Sequence, residues 1–505
     1  NKINGTIKMT KIIFFVFILT TVNMFSQSIL TPLQKSDYKK ITLHAELSQF
    51  IKEADEKSDL IKSEVIAKSV EGKELFAVYF SKDGFGKDES KIKVLIFAQQ
   101  HGNEQSGKEG ALLLIKELLK TENQYLFDKI DFVLVPQMNP DGSEKNQRRN
   151  GNTMDLNRNH LILTEPETIG LHKLFNKYLF EVTMDVHEYA PYGDTYKQFG
   201  YRHNNDEELG VNTNINIAEE IRTMQKKVYL PYIEKYFKDR NFSYFEYSPG
   251  GPPEIDYIRH STFDINDGRQ SLGIQNTFSF IQEGLNGKDV YVDNIKHRAE
   301  GQMTGMRGLL EFAYNHKDQI KSLVKTEREK LVSNTVSDKV AIQLDHFADG
   351  SKLELPLISY YSNTDTVITV SDYRPIVKSI YDVVRPKGYL VPRSLKEIVD
   401  WADRHELTYS DYKKSDDDKI EQYFIAGIDS MDFERDIIVN PTVEVDQIKN
   451  DLCETDYIFI PVNQLRNNMI VIALEPKSEL GLVTYKQFEH LLKTGEIFPI
   501  LRLVN

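Results

Sequence analysis

The sequence predicts an α/β fold: a mixed, mostly parallel sheet with helices on both faces, followed by a smaller β-rich or mixed domain. From about residue 40 to residue 320, short apolar runs rich in β-branched residues alternate with helical stretches. Strands that are joined by helices form mostly parallel sheets. From about Asp338 onward, short strand-like runs follow one another instead, and they predict the second domain.

Four apolar runs are the candidate strands of the sheet. They span residues 91–98, 129–137, 179–187 and 276–283. After the first run, residues 110–119 (GALLLIKELL) predict a helix, and residues 139–142 (NPDG) predict a turn that stops the second strand. The charged stretch 318–334 predicts the helix that closes this domain. Ligands of such sheets bind beyond the carboxyl ends of the strands, so side chains near those ends are expected to meet.

The C-terminal part shows no pattern that indicates a chemistry. We expect three segments in the chain: residues 1–27 (upstream residues and a targeting signal), 28–334 (the α/β domain) and 338–505 (the C-terminal domain). Within the last segment, residues 413–419 (KKSDDDK) predict a solvated loop. Residues 457–476 are explained at least as well by paired core strands as by a surface that binds a glycan or a partner.

The N-terminus has the pattern of a secretory signal that starts at Met9. Lys11 precedes an apolar run, and small and polar residues follow it near Ser26 and Ser28. The run is too short and too interrupted to span a bilayer comfortably. We therefore expect an exported protein, periplasmic or extracellular, with no stable membrane anchor after processing.

Composition and charge narrow the function classes. The chain has 505 residues, 28 % of them charged, and a formal net charge of −13, which argues against binding to nucleic acid. Its single cysteine, Cys453, cannot form an internal disulfide. Export without disulfides suits a large domain with its own core, in a bacterial envelope or medium.

A candidate metal site follows the first strand. His101 and Glu104 form a His-x-x-Glu pair, and His187 ends the third strand within TMDVHEY. Catalytic zinc sites use three nitrogen or oxygen ligands from the protein and leave one position open. Each piece by itself is more often a polar loop or a structural histidine, so the assignment depends on the other motifs.

Two further blocks carry residues that suit such a site. Residues 139–160 place Arg148, Asp155, Asn157 and Arg158 in a loop after a strand. Guanidinium and amide groups can grip a carboxylate or stabilise an oxyanion, and a carboxylate can orient a ligating histidine. Glu283 lies at the end of an apolar strand, where it could act as a general base.

Taken together, these blocks resemble the M14 family of zinc carboxypeptidases, of the carboxypeptidase A type, over roughly residues 40 to 315. The resemblance implies one Zn²⁺ per chain and peptide substrates with a free C-terminal carboxylate. It implies these roles: His101, Glu104 and His187 as zinc ligands, Asn157 and Arg158 as the carboxylate grip, Asp155 as the support of His101, Arg148 (or Arg149) as the group that polarises the carbonyl, and Glu283 as the general base. The export signal and the extra domain further suggest a secreted bacterial member.

Two features of the family cannot be aligned from the sequence. A mobile tyrosine is expected before the base, and Tyr244, Tyr247 and Tyr257 are all in a suitable stretch. The loop 263–276 is expected to line the specificity pocket, where Asp267 or Arg269 could face the substrate; a solvated loop explains those charges slightly better.

Three alternatives stay open at this point. A related zinc amidase could use the same metal cluster on cell-wall peptides or acyl-amino acids. A catalytically silent binding protein could retain the fold, although such proteins usually lose a ligand or the base. The C-terminal domain could add an interaction of its own. Nothing in the sequence indicates the oligomeric state.

Overall fold

A computed structural model describes residues 29–504, apart from 193, 288–292, 434, 435 and 450. The predicted secretory signal lies outside the described residues. Among the described helices, none combines the length and the apolar character that a membrane crossing requires.

The first part of the chain contributes ten α-helices and ten strands. The helices are α1 (Pro32–Lys35), α2 (His44–Lys57), α3 (Gln105–Leu118), α4 (Pro140–Lys145), α5 (Pro166–Tyr178), α6 (Asp194–Lys197), α7 (Glu219–Met224), α8 (Leu230–Lys238), α9 (Gly268–Gly273) and α10 (Ile295–Val332). The strands are β1 (Ile61–Lys68), β2 (Glu74–Phe80), β3 (Ile92–Ala98), β4 (Ile130–Val135), β5 (Val182–Tyr189), β6 (Tyr201–Arg202), β7 (Glu207–Gly210), β8 (Tyr244–Glu246), β9 (Ile258–Arg259) and β10 (Phe278–Leu285). These counts refer to the residues that the structure describes.

Eight of these strands form one mixed sheet in the order β1-β2-β4-β3-β5-β10-β7-β8. The central pairs β4–β3, β3–β5 and β5–β10 are parallel, as is β7–β8, whereas β1–β2, β2–β4 and β10–β7 are antiparallel. The sheet is thus mostly parallel, which confirms the predicted fold class. The parallel strands β3, β5 and β10 are neighbours, so their carboxyl ends lie side by side at one edge.

The four strand predictions correspond to β3, β4, β5 and β10. The predicted helix 110–119 starts earlier, at Gln105, with Glu104 in the N-cap position of α3. The predicted turn at 139–142 is instead the start of the short helix α4: Asn139 accepts a hydrogen bond of 2.8 Å from the backbone N–H of Gly142. The predicted closing helix is the second half of the 38-residue helix α10.

The remaining chain contributes two helices, α11 (Lys396–Arg404) and α12 (Asn467–Leu474), and eleven strands. The strands are β11 (Lys339–Phe347), β12 (Leu353–Ser359), β13 (Asp365–Val370), β14 (Tyr373–Arg374), β15 (Ile376–Val384), β16 (Gly388–Pro392), β17 (Ser410–Asp411), β18 (Lys419–Phe433), β19 (Asp436–Ile448), β20 (Tyr457–Pro461) and β21 (Leu501–Val504). Six of them form an antiparallel sheet, in the order β17-β20-β16-β21-β18-β19. This part is β-rich, as predicted, and residues 413–417 are exposed in a loop.

The C-terminal part packs closely against the first part. Strand β12 pairs with β6, and β14 pairs with β9. The buried indole of Trp401 donates a hydrogen bond of 2.8 Å to the carbonyl oxygen of Leu161. The predicted boundary between the two domains, at residues 334–338, lies just after the end of α10. It stays a prediction. The prediction of paired strands for residues 457–476 is wrong in its second half, because Asn467–Leu474 form the buried helix α12.

Candidate metal centre and active-site cavity

Three side chains converge where β3 and β5 end. His101 lies in the turn after β3, Glu104 immediately precedes the following helix α3, and His187 lies near the end of β5. The two strands pair in parallel, with Ala98 opposite Val186 in the register. The adjacent carboxyl ends therefore bring together residues that are 83 and 86 positions apart in the chain.

The converging atoms are one ring nitrogen from each histidine and the two carboxylate oxygens. The Nδ1 atoms of His101 and His187 are 3.1 Å apart. Oε1 of Glu104 lies 2.7 Å from Nδ1 of His101, and Oε2 lies 3.0 Å from Nδ1 of His187. All three side chains are buried. A single small cation could therefore be bound by these atoms at once.

The second ring nitrogen of each histidine faces a carboxylate. Nε2 of His101 lies 3.1 Å from Oδ1 of Asp155, and Nε2 of His187 lies 3.0 Å from Oδ1 of Asp185. Carboxylates in these positions hold a histidine in the tautomer whose other nitrogen can bind a metal. Asp155 contacts His101, the histidine that it is expected to support. Asp185 was missed, although it lies two residues before His187 and hence on the same face of the strand.

The positive groups of the cluster stabilise the ionised forms of Glu104 and Asp155. Burial alone would raise the pKa of Glu104, but the imidazoles of His101 and His187 hold it well below its usual value. Burial also opposes the ionisation of Asp155, yet the hydrogen bond from His101 and the charge of Arg148 lower its pKa. An ionised carboxylate between two imidazoles is an attractive ligand set for a divalent cation.

The donor set fits zinc. Two imidazole nitrogens and one carboxylate are typical ligands of catalytic zinc, which leaves a further position for a water molecule or the substrate. Among the described residues, this is the only group of three His, Cys, Asp or Glu side chains whose ligand atoms all lie within 4.8 Å of one another. One side of the cluster faces a cavity of about 470 Å³, lined in part by His101 and Glu104.

Glu283 lies on the next strand and lines the same cavity. Its register partner in the parallel strand β5 is His187, and its antiparallel partner in β7 is Glu208. Burial raises the pKa of Glu283 to about 8; His187 opposes this rise, and the charges of Glu104 and Glu208 add to it. The carboxyl group therefore lies beside the metal centre with a raised affinity for a proton.

The neighbouring residues Arg148 and Arg149 make different contacts. Nε of Arg148 donates a hydrogen bond of 2.9 Å to Asp155, and its Nη1 lies 3.2 Å from Nδ1 of His101. Nη1 of Arg149 instead donates to the backbone carbonyl of Thr153 at 3.0 Å. Only Arg148 lines the cavity, so the structure favours Arg148 over Arg149 at the metal centre.

Asn157 is held in one orientation. Its side-chain Oδ1 accepts hydrogen bonds from Nε2 of Gln100 at 3.2 Å and from the backbone N–H of Gly268 at 2.8 Å. Both acceptor positions of that oxygen are therefore used, and the amide offers its N–H donors to a ligand. Arg158 lines the cavity next to it, and its Nη1 donates to the backbone carbonyl of Asn157 at 2.9 Å. These donors suit a carboxylate.

The loop 263–276 is buried, so the solvated-loop interpretation is wrong. Arg269 is 0 % exposed and donates hydrogen bonds to Ser261 and Thr262, which holds it away from the cavity. Asp267 lines the cavity and caps the short helix α9. Of the three candidate tyrosines, only Tyr247 lines this cavity.

The fold and the site define a zinc-dependent hydrolase of the α/β class. The family model described as "Zinc carboxypeptidase" (Peptidase_M14) matches residues 47–251, which include all three metal ligands. Residues 47–251 thus match the M14 zinc carboxypeptidases, and together with the His-Glu-His centre this match indicates a metallocarboxypeptidase with one zinc site.

Proteins that are similar to this chain are named as carboxypeptidases. "Carboxypeptidase 2" of Trichophyton equinum is 23 % identical over 463 residues, which are 86 % of this chain and 81 % of that protein. "Carboxypeptidase D" of Homo sapiens is 31 % identical over 155 residues, which are 26 % of this chain and 11 % of that protein. A solved metallo-carboxypeptidase from Burkholderia cenocepacia has a TM-score of 0.41 and 17 % identity, over 55 % of this chain and 69 % of its own.

Proposed function

We propose that this zinc carboxypeptidase removes the last residue of peptides whose terminal carboxylate is held by Asn157 and Arg158. The observation that carries the proposal is the fixed orientation of Asn157, whose Oδ1 is occupied by Gln100 and Gly268. An amide fixed in this way presents only donors, and a guanidinium beside it adds a positive charge. An anchored carboxylate places one particular bond at the metal centre, which favours exopeptidase action.

The remaining roles follow from the positions around the cavity. Glu283 accepts a proton from the attacking water and then delivers it to the amine of the leaving amino acid. Arg148 donates hydrogen bonds to the oxygen of the scissile carbonyl as negative charge develops there. Zinc, when bound, supplies a Lewis acid and lowers the pKa of a coordinated water molecule. Asp155 and Asp185 keep the two ligating histidines in their binding tautomers.

The carboxylate grip is tested by comparing free and amidated peptides of the same sequence. We expect Arg158→Ala to raise KM for the free peptide by about 10- to 100-fold, since a charge-assisted hydrogen bond contributes roughly 1.5–3 kcal/mol. Discrimination against the amidated peptide should fall by a similar factor. Arg149→Ala is the matched control, because that guanidinium contacts Thr153 instead of the cavity. Unchanged discrimination in Arg158→Ala would contradict the assigned grip.

We further propose that the enzyme is exported by a bacterium. The signal pattern that starts at Met9 and the single cysteine in 505 residues support this proposal. Expression of the full chain in a Gram-negative host tests it. We expect the mature protein to be recovered outside the cytoplasm with a new N-terminus near Gln27; recovery of the uncleaved chain in the cytoplasm would contradict it.

A further inference from the structure

A second cavity of about 740 Å³ lies beside the active-site cavity. The two cavities share five lining residues: Ala190, Tyr196, His203, Gly250 and Arg259. Asn157 and Arg158, to which we assign the terminal carboxylate, line only the smaller cavity. The second cavity therefore begins at a wall that does not include the carboxylate grip. Its volume is within the range of sites that bind ligands in proteins.

The C-terminal part of the chain builds almost half of this second cavity. The lining includes Leu344, Asp345 and His346 of β11, Met431, Asp432 and Phe433 at the end of β18, and Glu479. The end of β18 also contacts the first part of the chain, where the rings of Phe433 and Phe263 lie 6.2 Å apart. The region after residue 338 thus reaches the surroundings of the active site.

The lining of the second cavity carries more negative than positive charge. Four carboxylates and two guanidinium groups line it: Asp256, Asp345, Asp432 and Glu479 against Arg259 and Arg374. Arg374 donates hydrogen bonds of 2.9 and 3.0 Å to Asp372, which does not line the cavity, and Glu479 accepts one of 2.9 Å from the backbone N–H of Leu344. Burial lowers the pKa of His346 to about 3, so its ring adds no positive charge at neutral pH.

We propose that the second cavity binds the peptide residues upstream of the cleaved bond and that it favours lysine or arginine there. This proposal rests on the proposed exopeptidase function. When the last residue is held by Asn157 and Arg158, the rest of the peptide must leave the smaller cavity through another wall. The shared wall leads to carboxylates that complement an ammonium or a guanidinium group. The C-terminal part is then a substrate-binding element of the enzyme.

Three substrates with the same two C-terminal residues test this proposal. The first is an N-acylated dipeptide, which is too short to fill the second cavity. The other two are hexapeptides that carry either two lysines or two glutamates at the third and fourth positions from the C-terminus. In the zinc-loaded enzyme we expect kcat/KM for the lysine hexapeptide to exceed that for the glutamate hexapeptide by about tenfold, mainly through KM. The dipeptide is the reference for each variant.

The double substitution Asp345→Asn and Asp432→Asn should reduce this preference to about twofold, because it removes two of the carboxylates. Asp432 is exposed, so the single substitution Asp432→Asn provides a variant that is expected to fold normally. Asp429→Asn is the matched control, since Asp429 is an exposed residue of the same strand that does not line the cavity. It should keep the full preference.

Two results would overturn the proposal: a preference near one in the unaltered enzyme, or an unchanged preference in both Asp432 variants. Failure to hydrolyse any of the three substrates is a different outcome. It would reject the exopeptidase function itself, and with it the reason for an upstream binding site.

Discussion

The side-chain amide of Gln100 is hydrogen-bonded to both Asp185 and Asn157. Its Nε2 donates to Oδ2 of Asp185 at 2.7 Å and to Oδ1 of Asn157 at 3.2 Å. Its Oε1 lies 2.7 Å from Nε2 of His160, and because the amide nitrogen already donates twice, that oxygen is the acceptor. Asp185 in turn faces the ring of His187. One neutral side chain thus fixes both the support of a zinc ligand and the orientation of Asn157.

We expect Gln100→Met to weaken zinc binding by about 10- to 100-fold, the usual effect of removing a group that orients metal ligands. KM for free-carboxylate peptides should rise as well, since Asn157 loses a donor that fixes its amide. Competition with a zinc-binding dye measures the first effect, and steady-state kinetics at saturating zinc measure the second. Gln124→Leu, in a short helical segment remote from the cavity, should change neither. A variant with unaltered zinc affinity and KM would exclude this positioning role.

The sequence could indicate the ligands but not Gln100. His101, Glu104 and His187 carry a recognisable spacing of ligand types, and the strand pattern places them at one edge of the sheet. Gln100 has no comparable signal, because a glutamine after a strand is compatible with many roles. Its partners Asp185, Asn157 and His160 become neighbours only when three separate segments meet.

The helical structure of α12 and the burial of Arg269 could not be predicted from the sequence either. The run NNMIVIAL is rich in apolar residues and all eight residues are buried, so periodicity cannot distinguish a buried helix from a strand. Arg269 was expected to be solvated, as charged side chains usually are. Its burial is possible because Ser261, Thr262 and Asp267 accept hydrogen bonds from its two terminal nitrogens, and these contacts depend on tertiary structure.

Removal of zinc should abolish hydrolysis. A strong chelator removes the ion, and His187→Ala removes one of its three ligands. In both cases we expect the bound zinc to fall from one equivalent towards zero, together with the activity. The melting temperature of the chelated protein should also fall, because the ion binds the folded state. Elemental analysis, peptide hydrolysis and thermal unfolding measure the three effects, and added zinc should restore only the chelated protein. Full turnover without zinc would contradict the metal centre.

Glu283→Gln should separate metal binding from turnover. The substitution preserves the shape of the side chain but removes a group that can accept a proton from water. We expect normal zinc content and a kcat that is lower by about 10²- to 10⁴-fold, the usual contribution of a general base. Glu300→Gln, in helix α10 and outside the cavity, should retain full activity. An active, zinc-loaded Glu283→Gln enzyme would remove this residue from the proposed mechanism.

Gly102, between two zinc ligands, lies too close to α4 to tolerate a side chain. A Cβ atom at this position would lie 2.2 Å from the carbonyl carbon of Gly142 and 2.4 Å from the backbone nitrogen of Ser143. We expect Gly102→Ala to shift the turn from His101 to Glu104, to weaken zinc binding, and to reduce the free energy of unfolding by about 1–3 kcal/mol. Gly427→Ala is the control, since its Cβ would contact nothing within 4 Å. Equal zinc affinities of the two variants would contradict this account.

The contact between the two parts of the chain should be sensitive to acid. Three buried histidines lie there: His160, His172 and His405, with the ring centres of His172 and His405 5.8 Å apart. Burial lowers the pKa of His405 to about 3, with a further contribution from Arg466, and burial lowers that of His160 to about 4. An unfolded histidine has a pKa of about 6.5. Below that pH each of these histidines binds a proton in the unfolded chain but not in the folded chain, so each contributes a decrease in the free energy of unfolding as the pH falls.

Each such histidine can contribute up to about 1.4 kcal/mol per pH unit below 6.5. We therefore expect acidification from pH 7 to pH 5 to lower the denaturant midpoint of the zinc-free protein relative to that of zinc-free His405→Gln. The glutamine can still donate to the carbonyl of Leu161, as His405 does at 2.7 Å. The zinc-free form is used because acid also displaces the metal. His490→Gln alters an exposed histidine and should leave the slope unchanged. Parallel pH curves for the unaltered protein and His405→Gln would show that His405 does not make the contact acid-sensitive.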